Sequence, residues 1–475
     1  MKRTLLAVGA LAALACACAT LRESRAPVPL AFRDCGEPFE CAELRVPIDR
    51  ERPDGPELAL AVARARATGP GERIGVLVVN PGGPGLSAVD YLRVARSARH
   101  LRGLRERFDL VAFDTRGAGA SAPLDCRASL DAWLAQDPTP EGDASWQSAV
   151  AAARALADEC ARNHGELLPF AGTRDSAADL DALRAALGEQ RISYLGFSYG
   201  TALGASYAAS YPEGVRAMVL DGPIDPSLDL LAFAREQALA VESALAAYDQ
   251  AAAEQGWHGT AVLESVSARV ERAPLPSANA SRAARASDVL YGSVEALTAP
   301  EYGWHELALA LGSAQSGDGS GFVELSDRYF QRRSDGSTGL RVEAQLAVLC
   351  ADLAGLESPQ AYRDAAAGLA REAPHFGVAN LLSHLPCAFW PEPARLAEPL
   401  QGAAARNVLV IAGRADPLTP YAWGERMAAL LRGSTLLRVD TREHTSFGAD
   451  LPCVDDAVTA LLVSGERPAI PPLCP

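Results

Sequence analysis

The stretch that most constrains this chain is Gly196-Phe197-Ser198-Tyr199-Gly200. It follows Arg191 to Leu195, which reads as a short buried strand, and precedes Thr201 to Ala208, which reads as a tightly packed helix. A G-x-S-x-G between strand and helix is the pattern of a nucleophile elbow. The serine stands on a sharp turn with little room around it, so the flanking positions must be small. The helix that begins beneath it favours negative charge nearby. The same five residues also occur in ordinary turns, so the reading depends on what the other strands bring to the serine.

Apolar runs place those strands. Cys41 to Ile48 and Leu58 to Ala65 read as the first two, and Ile74 to Asn80 and Phe108 to Asp114 as buried ones. Helical periodicity runs from Ser87 to Arg99. It returns from Ser176 to Leu187, with Leu180, Leu183 and Leu187 on one face. Val215 to Asp221, Asn407 to Ala412 and Ser434 to Val439 complete the set. Strands alternating with helices predict an α/β fold with a mostly parallel central sheet covered on both faces. The alternation stops near Pro226 and resumes near Ala404, and the residues between are helical and alanine-rich. The expected division is a core of residues 31–225 and 404–475, interrupted by a helical lid over residues 226–403. In an open parallel sheet, sites form at the carboxyl ends of strands, so an insertion arising there covers the site.

A serine nucleophile needs a base, and the base needs an orienting acid. The strand ending at Ala412 leads into Gly413-Arg414-Ala415-Asp416, and the next strand leads into Glu443-His444-Thr445. The order Ser198, Asp416, His444 is the one expected of a hydrolase built on such an elbow. The other histidines, at positions 100, 164, 258, 305, 375 and 384, do not follow a core strand. Glu443 is a rival base, though a weakly basic one at neutral pH. Donors for a developing oxyanion come from Asn80-Pro81-Gly82-Gly83-Pro84-Gly85, where Pro84 has no N–H and Gly83 is the candidate. The second donor is the N–H of Tyr199, the residue after the nucleophile. Asp114 to Ser121 lacks the spacing of a phosphate loop and reads as a structural turn at the site rim, with Arg116 bridging loops.

Composition excludes several classes. Lys2 is the only lysine, so no lysine-bound cofactor and no P-loop lysine is available to the folded domain. A net charge of -15 argues against nucleic acid or an anionic membrane as partner. No C-x-x-C, no H-E-x-x-H and no histidine cluster supports a metal, so neither metal nor cofactor is expected.

Residues 1–19 read as an export signal, with Lys2 and Arg3 before an apolar run from Leu5 to Leu14 that is too short to span a bilayer. Ala13-Leu14-Ala15-Cys16 resembles a lipobox, which makes Cys16 a lipidation site and a membrane contact only through that anchor. Cleavage after Ala17 or Ala19 by an ordinary signal peptidase is the alternative. Residues 20–30 then read as a tether. Setting Cys16 and Cys18 aside leaves eight cysteines in sequence-local couples: Cys35 with Cys41, Cys126 with Cys160, Cys350 with Cys387, and Cys453 with Cys474. Eight cysteines permit 105 connectivities, so nearest-neighbour pairing is one expectation among many.

These motifs are jointly similar to one family. The glycine loop at Asn80, Asp114-x-Arg116-Gly117-x-Gly119-x-Ser121, Thr173-Arg174-Asp175 with Asp179-Leu180, and Gly196 to Thr201 all match it. So do Val219-Leu220-Asp221-Gly222-Pro223, Cys350-x-Asp352, Cys387 with Trp390-Pro391, and the closing segment from Cys453 to Cys474. From about Cys35 to Cys474 the chain resembles exported tripeptidyl aminopeptidases, in the prolyl-aminopeptidase branch of the α/β-hydrolases. The resemblance implies an α/β-hydrolase fold and the release of short peptides, tripeptides foremost, or single residues from peptide N-termini. It implies an acyl-enzyme on Ser198, with His444 as acid/base and Asp416 as its orienter. Gly83 and Tyr199 are then the oxyanion donors. It also implies lid carboxylates for the substrate's free amine, for which Glu236, Glu242 and Asp352 are the candidates. The lid departs from many relatives, because the region from Tyr248 to Trp257 has no cysteine. Two other functions stay open. A carboxylesterase or lipase uses the same triad and needs no ammonium site, so a wholly apolar lid pocket favours it. A non-catalytic binding protein on the same fold is the other, although such proteins usually lose a triad member and this sequence keeps all three.

Overall fold

The computed structural model describes residues 28–279, 282–333, 342–391 and 407–475. The expected leader, its Cys16 and most of the tether lie outside these residues. Nine strands among the described residues form one sheet. They are β1 (Arg33–Asp34), β2 (Phe39–Pro47), β3 (Glu57–Ala65), β4 (Gly75–Asn80) and β5 (Phe108–Phe113). β6 (Ile192–Phe197), β7 (Val215–Asp221), β8 (Val408–Gly413) and β9 (Thr435–Val439) follow. Their spatial order is β1-β2-β3-β5-β4-β6-β7-β8-β9. The first three strands run antiparallel to their neighbours, and every pairing from β5 to β9 is parallel.

The residue pattern explains both halves. β4, β5, β6 and β8 are buried along their whole length, as parallel strands covered on both faces must be. β2 alternates buried with exposed positions, as befits an antiparallel strand near an edge. Within the sheet, successive side chains take opposite faces. Val76, Val78, Val111, Phe113 and Tyr194 join one core with Leu180, Leu183 and Leu203 of the helices on that side. Leu77, Val79, Leu110, Ala112 and Leu195 join the other, with Leu92, Leu104, Val458 and Leu461. The C-terminal segment shields the outer edge at β9. Cys474 donates its N–H to Arg438 O and accepts from Asp440 N–H, each at 2.8 Å, which pairs backbone groups that an open edge would expose.

Between β7 and β8 the described residues are mainly helical, from Leu230–Ala253 through Gly377–Leu382. This segment has an apolar cluster of its own, which includes Val241, Leu245, Leu263, Leu307 and Phe322. A further cluster ties it to the rest of the molecule. Phe233, Leu349 and Tyr362 pack there with Trp146 and Ala153 from the helix Gly142–His164 and with Trp423 beyond β8. The helices Arg127–Leu134 and Gly142–His164 carry no clear signal in the sequence. The buried face of the second is Trp146, Ala149, Ala153, Leu156, Ala157 and Cys160. Three of those six are alanines in an alanine-rich helix, so the contrast between its faces is weak.

Disulfides join Cys35 to Cys41, Cys126 to Cys160, Cys350 to Cys387 and Cys453 to Cys474. Four such bonds fit a chain exported to an oxidising compartment. No helix among the described residues is long and apolar enough to cross a membrane.

Candidate active site

Ser198 stands between β6 and the helix Tyr199–Ser210, with φ 51° and ψ −122°. Backbone of this kind costs on the order of 1–3 kcal/mol in a residue other than glycine and persists only where its surroundings fix it. Here the Ser198 N–H donates to Asp221 O at 2.9 Å. The two glycines of the motif are needed for space. A Cβ on Gly196 would lie 2.4 Å from Gly200 O, and one on Gly200 would lie 2.7 Å from Asn80 O. The glycine loop after β4 presses on the same turn. Gly82 has φ +96°, and a Cβ there would stand 2.5 Å from Phe197 O and 2.9 Å from Ser198 Cβ. Its N–H is taken by Asn80 Oδ1 at 2.9 Å. Gly83 shares a cavity with Ser198. The Tyr199 N–H opens a helix, where no earlier turn offers an acceptor.

Two strand ends away, Asp416 follows β8. Its carboxylate accepts from the N–H groups of Leu418 and Thr419, both at 2.9 Å, and from the Thr419 hydroxyl at 2.7 Å. His444 Nδ1 lies 3.0 and 3.1 Å from the two carboxylate oxygens. A carboxylate only accepts, so Nδ1 carries the proton and Nε2 is the basic nitrogen. Burial raises the pKa of Asp416, but the charge and hydrogen bonds of His444 and Thr419 outweigh it and hold the carboxyl below its usual range. Burial lowers the pKa of His444. The attraction of Asp416 outweighs that, and the imidazole is lifted above its ordinary value.

The loop that carries His444 is strained and is held from two sides. Thr445 takes φ 73°, which a β-branched residue rarely adopts. On one side the buried Asp221 carboxylate accepts from Ser446 N–H at 2.9 Å and from Phe447 N–H at 2.7 Å. On the other, the His444 N–H donates to Thr298 O at 3.0 Å, at the end of the helix Ala286–Thr298. Burial pushes the Asp221 carboxyl up to about 6, against the pull of its two backbone donors.

β6, β7, β8 and β9 are parallel neighbours. Their carboxyl ends therefore share one edge of the sheet, and this edge carries the elbow, Asp221, Asp416 and the His444 loop. Residues 75–448 match the model of the alpha/beta hydrolase fold.

The chain belongs to the alpha/beta hydrolase family.

Within this family it is similar to serine protease Hip1 of Mycobacterium tuberculosis, at 34% identity over 90% of this chain and 86% of that protein. It is 31% identical to a tripeptidyl aminopeptidase of Streptomyces lividans, over 95% of this chain and 87% of that one. It is 33% identical to a carboxylesterase B of Mycobacterium tuberculosis, over 90% and 85% of the two chains.

The cavity of this hydrolase runs from Ser198, Gly83 and Thr419 up among the helices between β7 and β8. Trp133, Phe233, Val241, Tyr291 and Phe376 give it mainly apolar walls, and no Asp, Glu or Arg among the described residues lines it. The three carboxylates expected to meet a substrate amine have protein partners. Glu236 accepts from Trp423 Nε1 at 2.6 Å and pairs with Arg426. Glu242 accepts from His375 N–H at 2.6 Å and Phe376 N–H at 3.0 Å, and lies 2.8 Å from His375 Nδ1. Asp352 accepts from Thr173 N–H at 2.8 Å and from the Thr173 hydroxyl at 2.5 Å. That hydroxyl oxygen lies 2.7 Å from the Tyr199 hydroxyl, so Asp352 braces the first turn after the elbow. Arg116 is buried and pairs with Asp179 at 2.6 Å. It also donates to Ile48 O at 2.6 Å and Pro47 O at 3.0 Å, so it ties its own loop to the end of β2 and to the helix Thr173–Ala186.

Sequence reasoning passed over Asp221 as a working residue, although one signal was present: it is a carboxylate that ends an otherwise apolar strand. Asp221→Ala leaves two buried N–H groups without their acceptor, at about 1–3 kcal/mol each, and frees the His444 loop. The expected result is a lower melting temperature and a kcat reduced on the order of 10²-fold, with a smaller change in KM. Steady-state kinetics beside a thermal melt measure both. An unchanged kcat would show that the loop holds without the carboxylate.

Proposed function

We propose that this chain is an exported serine peptidase that removes short peptides, tripeptides foremost, or single residues from peptide N-termini. The observation that carries the reading is His444 Nδ1 at 3.0 Å from a buried Asp416, on the sheet edge that also carries the Ser198 elbow. Ser198 Oγ attacks the scissile carbonyl carbon while His444 Nε2 takes its proton. The carbonyl oxygen becomes an oxyanion, held by the N–H groups of Gly83 and Tyr199. Within the glycine loop, Gly82 has given its N–H to Asn80 and Pro84 has none, which favours Gly83. Each such donor is typically worth about 3 kcal/mol of barrier. The tetrahedral adduct collapses, the C–N bond breaks, and His444 protonates the leaving amine. Water then attacks the ester on Ser198 with His444 as base, and the acyl group leaves as a carboxylic acid. Asp416 keeps Nδ1 protonated and stabilises the imidazolium formed in each step.

The helices between β7 and β8 act in this reading as a lid that limits the length of substrate held above Ser198. The similarity to a tripeptidyl aminopeptidase and to a serine protease supports peptides as the substrate. A second reading, a carboxylesterase, is favoured by the mainly apolar cavity and by the similarity to a carboxylesterase B. A chromogenic tripeptide amide with a free N-terminus separates the two. The peptidase turns it over, and an enzyme that cleaves only the matching ester would overturn the proposal. The pH profile of that turnover tests the base. His444 must be neutral to act, and its pKa lies above the ordinary histidine value. The acid limb of kcat/KM is therefore expected to bend above about 6.5, and a limb centred below that value contradicts the Asp416–His444 coupling.

The proposal includes a lipid anchor on Cys16, supported by the apolar run and the lipobox-like Ala13-Leu14-Ala15-Cys16. The mass of the mature N-terminus decides it. An acylated Cys16 as first residue is expected, and an unmodified terminus at Cys18 or Thr20 would replace the anchor with simple secretion.

A further inference from the structure

The first turn after Ser198 is held from the far side by a chain of hydrogen-bonded groups that starts among the helices between β7 and β8. Asp352 ends the helix Val342–Asp352, and the disulfide from Cys350 to Cys387 fixes that end to the segment Leu385–Phe389. One carboxylate oxygen accepts the Thr173 N–H at 2.8 Å, and the other accepts the Thr173 hydroxyl at 2.5 Å. Gly172 makes this approach possible, since a Cβ there would lie 2.7 Å from Asp352 Oδ1. The Thr173 hydroxyl oxygen meets the Tyr199 hydroxyl at 2.7 Å, and both residues are buried.

The protons fix the direction of this chain. A carboxylate only accepts, so the Thr173 hydroxyl spends its one proton on Asp352. Toward Tyr199 it is then the acceptor, and the phenol is the donor. Burial holds the Tyr199 phenol far above its usual pKa, so that proton stays in place. Burial also raises the Asp352 carboxyl, to about 6, against the two bonds from Thr173 and with the negative charge of Asp175 adding to the rise. The group is therefore ionised at neutral pH. Tyr199 is the first residue of its helix. With the far end of its side chain tied, its backbone has less freedom to tilt, and its N–H keeps its direction.

We propose that Asp352 is a positioning residue for catalysis: its ionised carboxylate orders the Thr173 and Tyr199 hydroxyls and thereby aims the Tyr199 N–H at the oxyanion formed beside Ser198. The inference rests on Ser198 as nucleophile and Tyr199 as oxyanion donor, and is independent of whether the substrate is a peptide or an ester.

Asp352→Asn keeps the shape of the side chain and reverses the chain of donors. The amide oxygen must stay on the Thr173 N–H, so the NH2 faces the Thr173 hydroxyl as a donor. The Thr173 proton is turned toward Tyr199, and the phenol proton loses its acceptor. On a chromogenic ester, kcat/KM of the whole protein is expected to fall about tenfold, less than the loss on removing such a donor outright. A trifluoromethyl ketone of the same acyl chain forms an adduct on Ser198 that carries an oxyanion. Its affinity is expected to fall by the same factor, while the matching alcohol, which forms no adduct, binds as before. Tyr199→Phe removes one buried oxygen and is expected to give the same split between ketone and alcohol. Asp352→Asn is expected to add nothing further in that background, because the two act through one chain. Unchanged kcat/KM in either folded variant overturns the inference. So does a loss shared equally by ketone and alcohol, or fully additive losses in the double variant. Where Asp352→Asn does not fold, Thr173→Val takes its place, since it cuts the link and leaves the carboxylate on the Thr173 N–H. A wild type that cleaves the ester but not the peptide amide overturns the peptidase reading and leaves this inference standing, and one that cleaves neither overturns both.

Discussion

The chemistry of this molecule depends on the end of one strand. Asp221 closes β7, its backbone oxygen holds the N–H of Ser198, and its carboxylate holds the turn after His444. Under the proposed mechanism the two groups that exchange a proton, Ser198 and His444, are thereby tied to one residue. Ser198 itself and Thr445, next to His444, take backbone that a free chain avoids, at φ 51° and φ 73°. Such conformations last only where neighbours over-determine them. The burial of Asp221 is costly, as its raised pKa shows, and its two backbone donors offset part of that cost.

The helical segment between β7 and β8 takes part in the same arrangement. Thr298 accepts the N–H of His444, and Asp352 accepts from Thr173, whose hydroxyl oxygen meets that of Tyr199. The segment therefore touches the His444 loop on one side and the first turn after Ser198 on the other. A movement large enough to admit a long peptide would disturb both contacts. In this account, substrate selection and catalytic geometry are linked through two hydrogen-bonded braces.

Much of this was legible in the residues. Apolar runs ending in glycine or a polar residue locate the strands, because a parallel strand buried on both faces must read that way. The placement of Ser198, Asp416 and His444 each just after such a run identifies one sheet edge. The helix Gly142–His164 was not legible, since alanines dominate its buried face and blur its period. Nor were the partners of Glu236, Glu242 and Asp352. A carboxylate on a helix looks the same in sequence whether it meets a ligand, an arginine or a backbone N–H.

The central claim is that Ser198 is the acylated residue and His444 its base. Covalent labelling tests it most directly. A fluorophosphonate that mimics the tetrahedral adduct, followed by intact mass and peptide mapping, is expected to add one phosphonyl group on the peptide that contains Ser198. Labelling is expected to proceed in step with loss of activity and to slow by orders of magnitude in His444→Ala. An adduct on another residue, or full activity in protein that carries the label on Ser198, would contradict the account.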